Sequence, residues 1–286
     1  MRSYYAAVNR HNPTCILYLI DQSASMGGPG VGPSQGNDIA KSQAVADAVN
    51  RAIYWLALKS VKGNQTLDYF DVGVVGYSVE AHSLLGGELC GRDLVSSSQL
   101  AEYPLRVERS SISLSGGGTP DRCEERYPVW IEPNYKSAAN QCAGLCRCHE
   151  ILEEWTSQHP RSFPPLVFHF TEGEPQDGNP LEYAEALKSL STEDGNTLLF
   201  NCYLASASQQ KTLYPMDRSA LPDRLAELYF DMASVVPEPF ACEARERGTH
   251  VRSGARGLIY GAEIQDLTHF VGLVDGLTIG TRTFVG

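Results

Sequence analysis

Apolar residues along the chain follow two patterns. Some form short uninterrupted runs, and others recur every three to four positions over longer segments. Uninterrupted runs are typical of strands buried on both faces of a sheet, and the helical spacing is typical of helices that cover such a sheet. Their alternation predicts an α/β fold, a doubly wound, mostly parallel sheet with helices on both faces. We expect strands at about 14–20, 71–78, 164–171, 197–205 and 257–260, and helices at about 38–60, 140–158, 180–190, 221–235, 242–247 and 263–274.

Residues 80–133 follow neither pattern clearly. Short strand-like pieces broken by glycines extend to about residue 112, and loop residues fill 113–121. Prolines then keep 128–133 extended. We interpret 80–133 as a hairpin-like insertion at the periphery of a single domain that spans 13–275. Residues 1–12 and 276–286 are then terminal extensions.

The composition narrows the classes of function. The chain has 286 residues, of which 42% are hydrophobic, and its formal net charge is −11. Without basic runs, this charge argues against general binding to nucleic acids or anionic membranes. The first ten residues lack the apolar core of a secretion signal, and no stretch is apolar enough to span a membrane. We expect a cytoplasmic protein whose eight cysteines are reduced thiols.

The sequence Asp-Gln-Ser-Ala-Ser begins at Asp21, where the first strand opens into a loop. Asp21, Ser23 and Ser25 alternate along this loop, so that three oxygens can point at one ion. Mg²⁺ prefers such oxygen ligands in near-octahedral geometry. The alternative is a turn in which Asp and Ser side chains bond to nearby backbone groups.

This segment resembles D-x-S-x-S, the first part of the metal-ion-dependent adhesion site of von Willebrand factor A domains. Residues 171–175, Thr-Glu-Gly-Glu-Pro, resemble the later T-D-G segment of bacterial members, with Glu172 in the place of Asp. The resemblance implies that Asp21, Ser23, Ser25 and Glu172 bind Mg²⁺ or Mn²⁺ at the carboxyl ends of parallel strands, where such sheets place ligands. Glu172 can instead be a structural carboxylate that caps the following helix.

The family completes its site with a Thr from a Gly-Gly-Thr motif that directly precedes a helix. Residues 117–120 read Gly-Gly-Thr-Pro, which matches by letters, but the next helix starts only near residue 140. Counting back from that helix places Ala139, which has no oxygen, in the Thr position. Thr119 joins the site only if its loop folds back, and this alternative stays open. We therefore expect a partly degenerate site, with weak or absent metal binding.

Four cysteine and histidine side chains, which can bind a metal, lie in the helix near residue 140. Cys142, Cys146 and His149 share a helical face by spacing, and Cys148 lies off that face. A zinc site usually needs four ligands, and no second pair is apparent, so packing against the sheet is the favoured interpretation. The chain also lacks a G-x-S-x-G or H-E-x-x-H motif.

The resemblance is strongest to intracellular bacterial proteins of the TerY type. It implies a non-enzymatic adaptor of a stress, signalling or defence system, whose partner is a kinase, a phosphatase or another subunit. The partner would contact the loops around the metal site, with Ser137 and Glu174 among the contacting residues. Two alternatives remain. One is a Mg²⁺-dependent hydrolase in which Asp21 and Glu172 hold the ion that activates water, and the other is a metal-free scaffold subunit of a larger complex.

Overall fold

The structure is a computed structural model that describes residues 3–30, 39–113, 122–204 and 210–280. Its strands are β1 (Thr14–Asp21), β2 (Val61–Lys62), β3 (Gln65–Thr66), β4 (Phe70–Tyr77), β5 (Ala81–Ser83), β6 (Val95–Ser96), β7 (Arg106–Ser113), β8 (Arg122–Val129), β9 (Leu166–Thr171), β10 (Ser191–Thr192), β11 (Gly195–Asn196), β12 (Leu198–Leu204), β13 (Thr212–Leu213) and β14 (Leu258–Ala262). Its helices are α1 (Lys41–Lys59), α2 (Ser97–Glu102), α3 (Gln141–Gln158), α4 (Pro180–Ser189), α5 (Arg224–Met232), α6 (Glu238–Glu246) and α7 (Ile264–Val271).

Eight of the described strands form one sheet. Seven of them follow the order β13-β14-β12-β9-β1-β4-β5, and β6 pairs with β4 beside β5. The central neighbours β14, β12, β9, β1 and β4 are all parallel to one another, and β13, β5 and β6 pair antiparallel at the edges. This arrangement confirms the doubly wound, mostly parallel α/β fold.

The apolar residues of β1 contribute to two hydrophobic cores, one on each face of the sheet. Ile16 and Tyr18 point to one face of the sheet, where they pack with residues of α1, α6 and α7. Leu17 and Leu19 point to the other face, where they pack with residues of α3, α4 and α5. Because successive strand residues face opposite sides, a strand covered on both faces must be apolar at nearly every position.

Residues 80–133 divide into two parts. The first part extends the main sheet through β5 and β6, and α2 follows it. The second part is a separate two-stranded ribbon of β7 and β8, and the loop at 114–121 lies outside the described residues. The side chain of Asn50 fastens the end of this ribbon to α1, because it accepts hydrogen bonds from the amides of Trp130 and Ile131.

The first long helix begins at Lys41, and its N-cap Ala40 provides no side-chain hydrogen bond. Asp38, at which the sequence pattern predicts this helix to begin, lies outside the described residues. Near the chain start, Val8 is fully buried and pairs with Ile279. Over the described ranges, every helix is too short or too polar to cross a membrane.

Candidate functional site at the strand ends

The two motifs singled out in the sequence meet at one edge of the sheet. β1 and β9 are parallel neighbours, so their carboxyl ends bring Asp21 and Thr171 together. Asp21 is fully buried, and its Oδ1 accepts a hydrogen bond from the amide of Ser23 at 2.7 Å. Its Oδ2 accepts a hydrogen bond from the hydroxyl of Thr171 at 2.8 Å. Both carboxylate oxygens of Asp21 are therefore satisfied by the protein itself.

The hydroxyl groups of Ser23 and Ser25 lie 2.9 Å apart. Two neighbouring ligands of an octahedral Mg²⁺ ion are separated by about 2.9 Å, so this spacing suits a shared ion. It equally suits a hydrogen bond between the two hydroxyls. Ser23 is buried and Ser25 is exposed, so the pair leads from the strand end to the surface.

Ala139 lies beside the strand ends, where the family resemblance implies a Thr. A Cβ built on Gly173 would lie 3.7 Å from the Cβ of Ala139 and 3.7 Å from Oδ2 of Asp21. The backbone of Ala139 is fixed there because its amide donates to the side chain of Gln176 and its carbonyl accepts from the Gln176 amide. The site therefore has a methyl group at this position.

The other predicted site residues occupy the surface around this edge. The Lys136 amide donates to the carbonyl of Gln22 at 2.6 Å, which ties the loop that carries Ser137 to the first motif. Ser137 and Glu174 are both exposed. Thr119 lies outside the described residues, so its participation stays a prediction.

The site also contains a cation, Lys41, that the sequence motifs did not indicate. Lys41, the first residue of α1, is only 4% exposed, and its ammonium donates to Oε1 of Glu172 at 2.5 Å. Its spacing gives a signal: Lys41 lies four residues before Val45 and eight before Val49, on the helix face that becomes buried. A lysine on a buried face needs an anionic partner.

The residues present do not fit a divalent ion of the kind that the resemblance implies. Two observations favour an ion, namely the spacing of the Ser23 and Ser25 hydroxyls and the buried Oε2 of Glu172, which lacks a hydrogen-bond partner among the described residues. Against it, Ala139 contributes no oxygen, and Lys41 places a positive charge on the other oxygen of Glu172. A fixed ammonium repels a cation that would share its carboxylate. In the described ranges, no three His, Cys, Asp or Glu residues cluster closely enough to hold a metal.

A buried polar network lies under the site. His169 of β9 contacts the hydroxyl of Tyr77 through Nε2 at 2.8 Å and Oδ1 of Asn201 through Nδ1 at 3.1 Å. The side-chain nitrogen of Asn201 donates to the carbonyl of Tyr229. This bond turns Oδ1 of Asn201 toward His169. Nδ1 therefore carries the proton, and Nε2 accepts from Tyr77. Burial lowers the pKa of His169 to about 4, so the imidazole is neutral.

The loop after β9 is held from two sides. The Tyr229 hydroxyl donates to the carbonyl of Gly173 at 2.9 Å. Asp177 caps α3, because its carboxylate accepts hydrogen bonds from the amides of Cys142 at 3.0 Å and Ala143 at 2.9 Å. Asp177 therefore has a structural role. These bonds fix the loop that carries Glu172 and Glu174.

The cysteines of α3 correct one expectation. Cys148, expected off the packing face, is fully buried in the core, whereas Cys146 is exposed. The prediction holds for Cys142, which is buried, and is wrong for Cys146 and Cys148, because a helix pattern read from small residues leaves its orientation ambiguous. Burial and the neighbouring Asp177 raise the pKa of Cys142 to about 12, so this thiol is protonated. Cys142 and Cys148 therefore pack inside the protein, whereas Cys146 faces solvent.

No protein-family model matches the chain, and no curated protein matches it at a significant level. Similar solved structures include proximal thread matrix protein 1 from the mussel byssus with a zinc-occupied MIDAS motif, at 12% identity and a TM-score of 0.48, over 94% of this chain and 48% of that chain. The chain thus spans about half the length of the mussel protein structure.

Two further solved structures are similar to this chain. One is von Willebrand factor type A from Catenulispora acidiphila, at 12% identity and a TM-score of 0.36, over 70% of this chain and 41% of that chain. The other is the manganese-loaded Plasmodium vivax TRAP protein, at 15% identity and a TM-score of 0.34, over 69% of this chain and 59% of that chain. Such distant likenesses carry no argument about what this chain binds, and its α/β fold rests on its own sheet order and helical layers.

Proposed function

We propose that the chain is a non-enzymatic protein-interaction module that binds a partner at the carboxyl edge of its sheet. We define the strand-end face as the exposed surface formed by Ser25, Tyr135, Ser137 and Glu174. Tyr135 is 55% exposed, and its ring packs so closely on Gly27 that a Cβ there would lie 2.7 Å from it. An exposed aromatic ring with a polar surround is typical of binding surfaces.

The observation that carries this proposal is that backbone hydrogen bonds connect the loops of the face. Its three loops are joined by hydrogen bonds from Lys136 to Gln22 and from Gln176 to Ala139. A face that is ordered before binding loses less conformational entropy when a partner docks. Rigid loops on an α/β scaffold are also where binding residues commonly lie.

The hydrolase alternative has less support. Both oxygens of Asp21 accept hydrogen bonds from the protein, and Glu172 is ion-paired with Lys41. Asp21 therefore has no oxygen left without a partner, and the ammonium on Oε1 of Glu172 disfavours a metal ion that would bind both carboxylates and activate water.

We base a finer proposal, on the cellular system of this module, on the resemblance of the motifs at Asp21 and Glu172. We place the module in the cytoplasm of a bacterium, in a stress, signalling or defence system of the TerY type. Its partner is then a kinase, a phosphatase or another subunit of the same complex. A metal-free scaffold subunit is a variant of this role, and it uses the same face.

A photo-crosslinking residue tests the proposed face. It replaces Ser137 in one variant and Ser191 in the control variant, because both serines are exposed and Ser191 lies before β12, at the opposite edge of the sheet. We expect a discrete crosslinked protein from position 137 in the native host and none from position 191.

Binding of the purified partner provides the quantitative test. Ser137→Arg places a bulky charge on the strand-end face and should weaken binding by roughly ten-fold or more. Ser191→Arg should leave the affinity unchanged. Equal crosslinking from both positions, or equal affinities of both variants, would contradict the proposal.

A further inference from the structure

The buried ion pair between Lys41 and Glu172 joins two parts of the chain that lie 131 residues apart. Lys41 belongs to the first turn of α1, and Glu172 follows directly after β9. The side chains are 5% and 14% exposed, so water screens this pair only weakly. Burying a lysine ammonium is costly, and an anionic partner in direct contact is what offsets that cost.

The Lys41 ammonium lies at an edge of the sheet that also carries two carboxylates. Asp21 and Glu172 bring two carboxylates to adjacent strand ends, and the Glu172 amide approaches Oδ2 of Asp21 at 3.5 Å. Two neighbouring carboxylates in a buried setting need positive charge nearby. A divalent metal can supply it, but so can a side chain. In this chain Lys41 is the cation that contacts Glu172.

We propose that Lys41 is a built-in cation that takes the place of the divalent metal, so that the strand-end face is assembled without a metal ion. Ala139 fits the same account, because a site that needs no ion has no use for a hydroxyl ligand at that position. The inference goes beyond the proposed interaction role and stands without it, except for one consequence. If the face binds a partner, chelators should not affect that binding.

The second carboxylate oxygen of Glu172, Oε2, makes the proposal testable. Oε2 of Glu172 is buried and has no hydrogen-bond partner within the described ranges, and the Ser23 and Ser25 hydroxyls are spaced for one ion. Removal of the ammonium should therefore convert the site into one that accepts a metal. Lys41→Met removes the charge and retains a side chain of similar length and flexibility.

The experiment is a calorimetric titration of the chelator-treated full chain with Mn²⁺. The control is Lys59→Met, because Lys59 lies in the same helix and is also ion-paired, with Asp275. The wild type and Lys59→Met should show no saturable binding up to about 1 mM Mn²⁺. Lys41→Met should bind at least roughly ten-fold more tightly, and Lys41→Met/Ala139→Thr more tightly still.

Two results would overturn the proposal. One is saturable Mn²⁺ binding by the wild type that is lost in Asp21→Asn. The other is Lys41→Met that binds Mn²⁺ no better than the wild type. Because the titration uses the chain alone, its outcome is independent of whether a partner binds the strand-end face.

A second measurement covers the case in which Lys41→Met is poorly folded. That variant leaves the Glu172 carboxylate buried without its cation, so Mn²⁺ should raise its melting temperature more than that of the wild type. Lys41→Met/Glu172→Gln removes both charges and should regain stability without metal. A double variant that is no more stable than Lys41→Met, together with no effect of Mn²⁺, would contradict the proposal.

Discussion

His169 sits in the middle of β9 with its imidazole fully buried. Its ring nitrogens contact Tyr77 of β4 and Asn201 of β12, so one side chain links three strands under the site. A buried polar group of this kind is stabilising only while each of its hydrogen bonds is made. The neutral form of His169 is the one that this network accommodates, because burial lowers its pKa to about 4 from an ordinary 6.5.

His169 should make stability depend on pH. Its folded pKa lies below the unfolded value, so its contribution is fully present above pH 6.5 and is lost as the pH falls toward 4. Between pH 7 and about 4.5, His169→Gln should lose less free energy of unfolding than the wild type, by about 2 kcal/mol. Urea denaturation at both pH values measures this difference.

The exposed His250 is the control for this prediction, since His250→Gln should follow the wild type at both pH values. If His169→Gln has the same pH dependence as the wild type, His169 is not the group that titrates.

At the scale of elements, α3 and the loop after β9 stabilise each other. The first turn of a helix has amides without partners in the helix, and Asp177 supplies acceptors for two of them. Its negative charge also lies at the positive end of the helix dipole. The Asp177 cap therefore holds two segments together: the loop that carries Glu172 and Glu174, and the first turn of α3, which follows Ala139.

Asp177→Ala should lower the free energy of unfolding by about 1 kcal/mol, as the loss of an N-cap typically does. For a chain of this size we expect a fall in melting temperature of about 2 to 4 °C. Asp177→Asn retains one acceptor oxygen and should lose less. Thermal unfolding followed by circular dichroism measures both variants, and an unchanged melting temperature for Asp177→Ala would show that the cap contributes nothing.

The elements themselves could largely be predicted from the sequence. Buried strands such as β1 and β9 are uninterrupted apolar runs, because both of their faces are covered. The region after residue 80 could not be predicted in the same way. β5 and β6 have only three and two residues, so their pairing with β4 depends on tertiary contacts rather than on local pattern.

The candidate site was only partly predictable for a similar reason. Asp21, Ser23 and Glu172 stand at strand ends, and strand order brings strand ends together. The ion pair of Lys41 with Glu172 depends on how α1 packs on the sheet, which no local motif encodes. The capping role of Asp177 depends in the same way on where the loop meets α3.

For the whole molecule, the central question is what positive charge holds the strand ends together. The formal net charge of −11 attracts cations to the surface in general, so weak, non-specific association of Mn²⁺ is expected everywhere. A measurement that locates the ion separates this background from a specific site most directly.

Anomalous X-ray diffraction from Mn²⁺-soaked crystals of the wild type and Lys41→Met locates that ion directly. We expect no manganese peak between Ser23, Ser25 and Glu172 in the wild type, with the Lys41 ammonium in contact with Glu172, and a peak there in Lys41→Met. A manganese peak at that position in the wild type, with Lys41 displaced from Glu172, would contradict it.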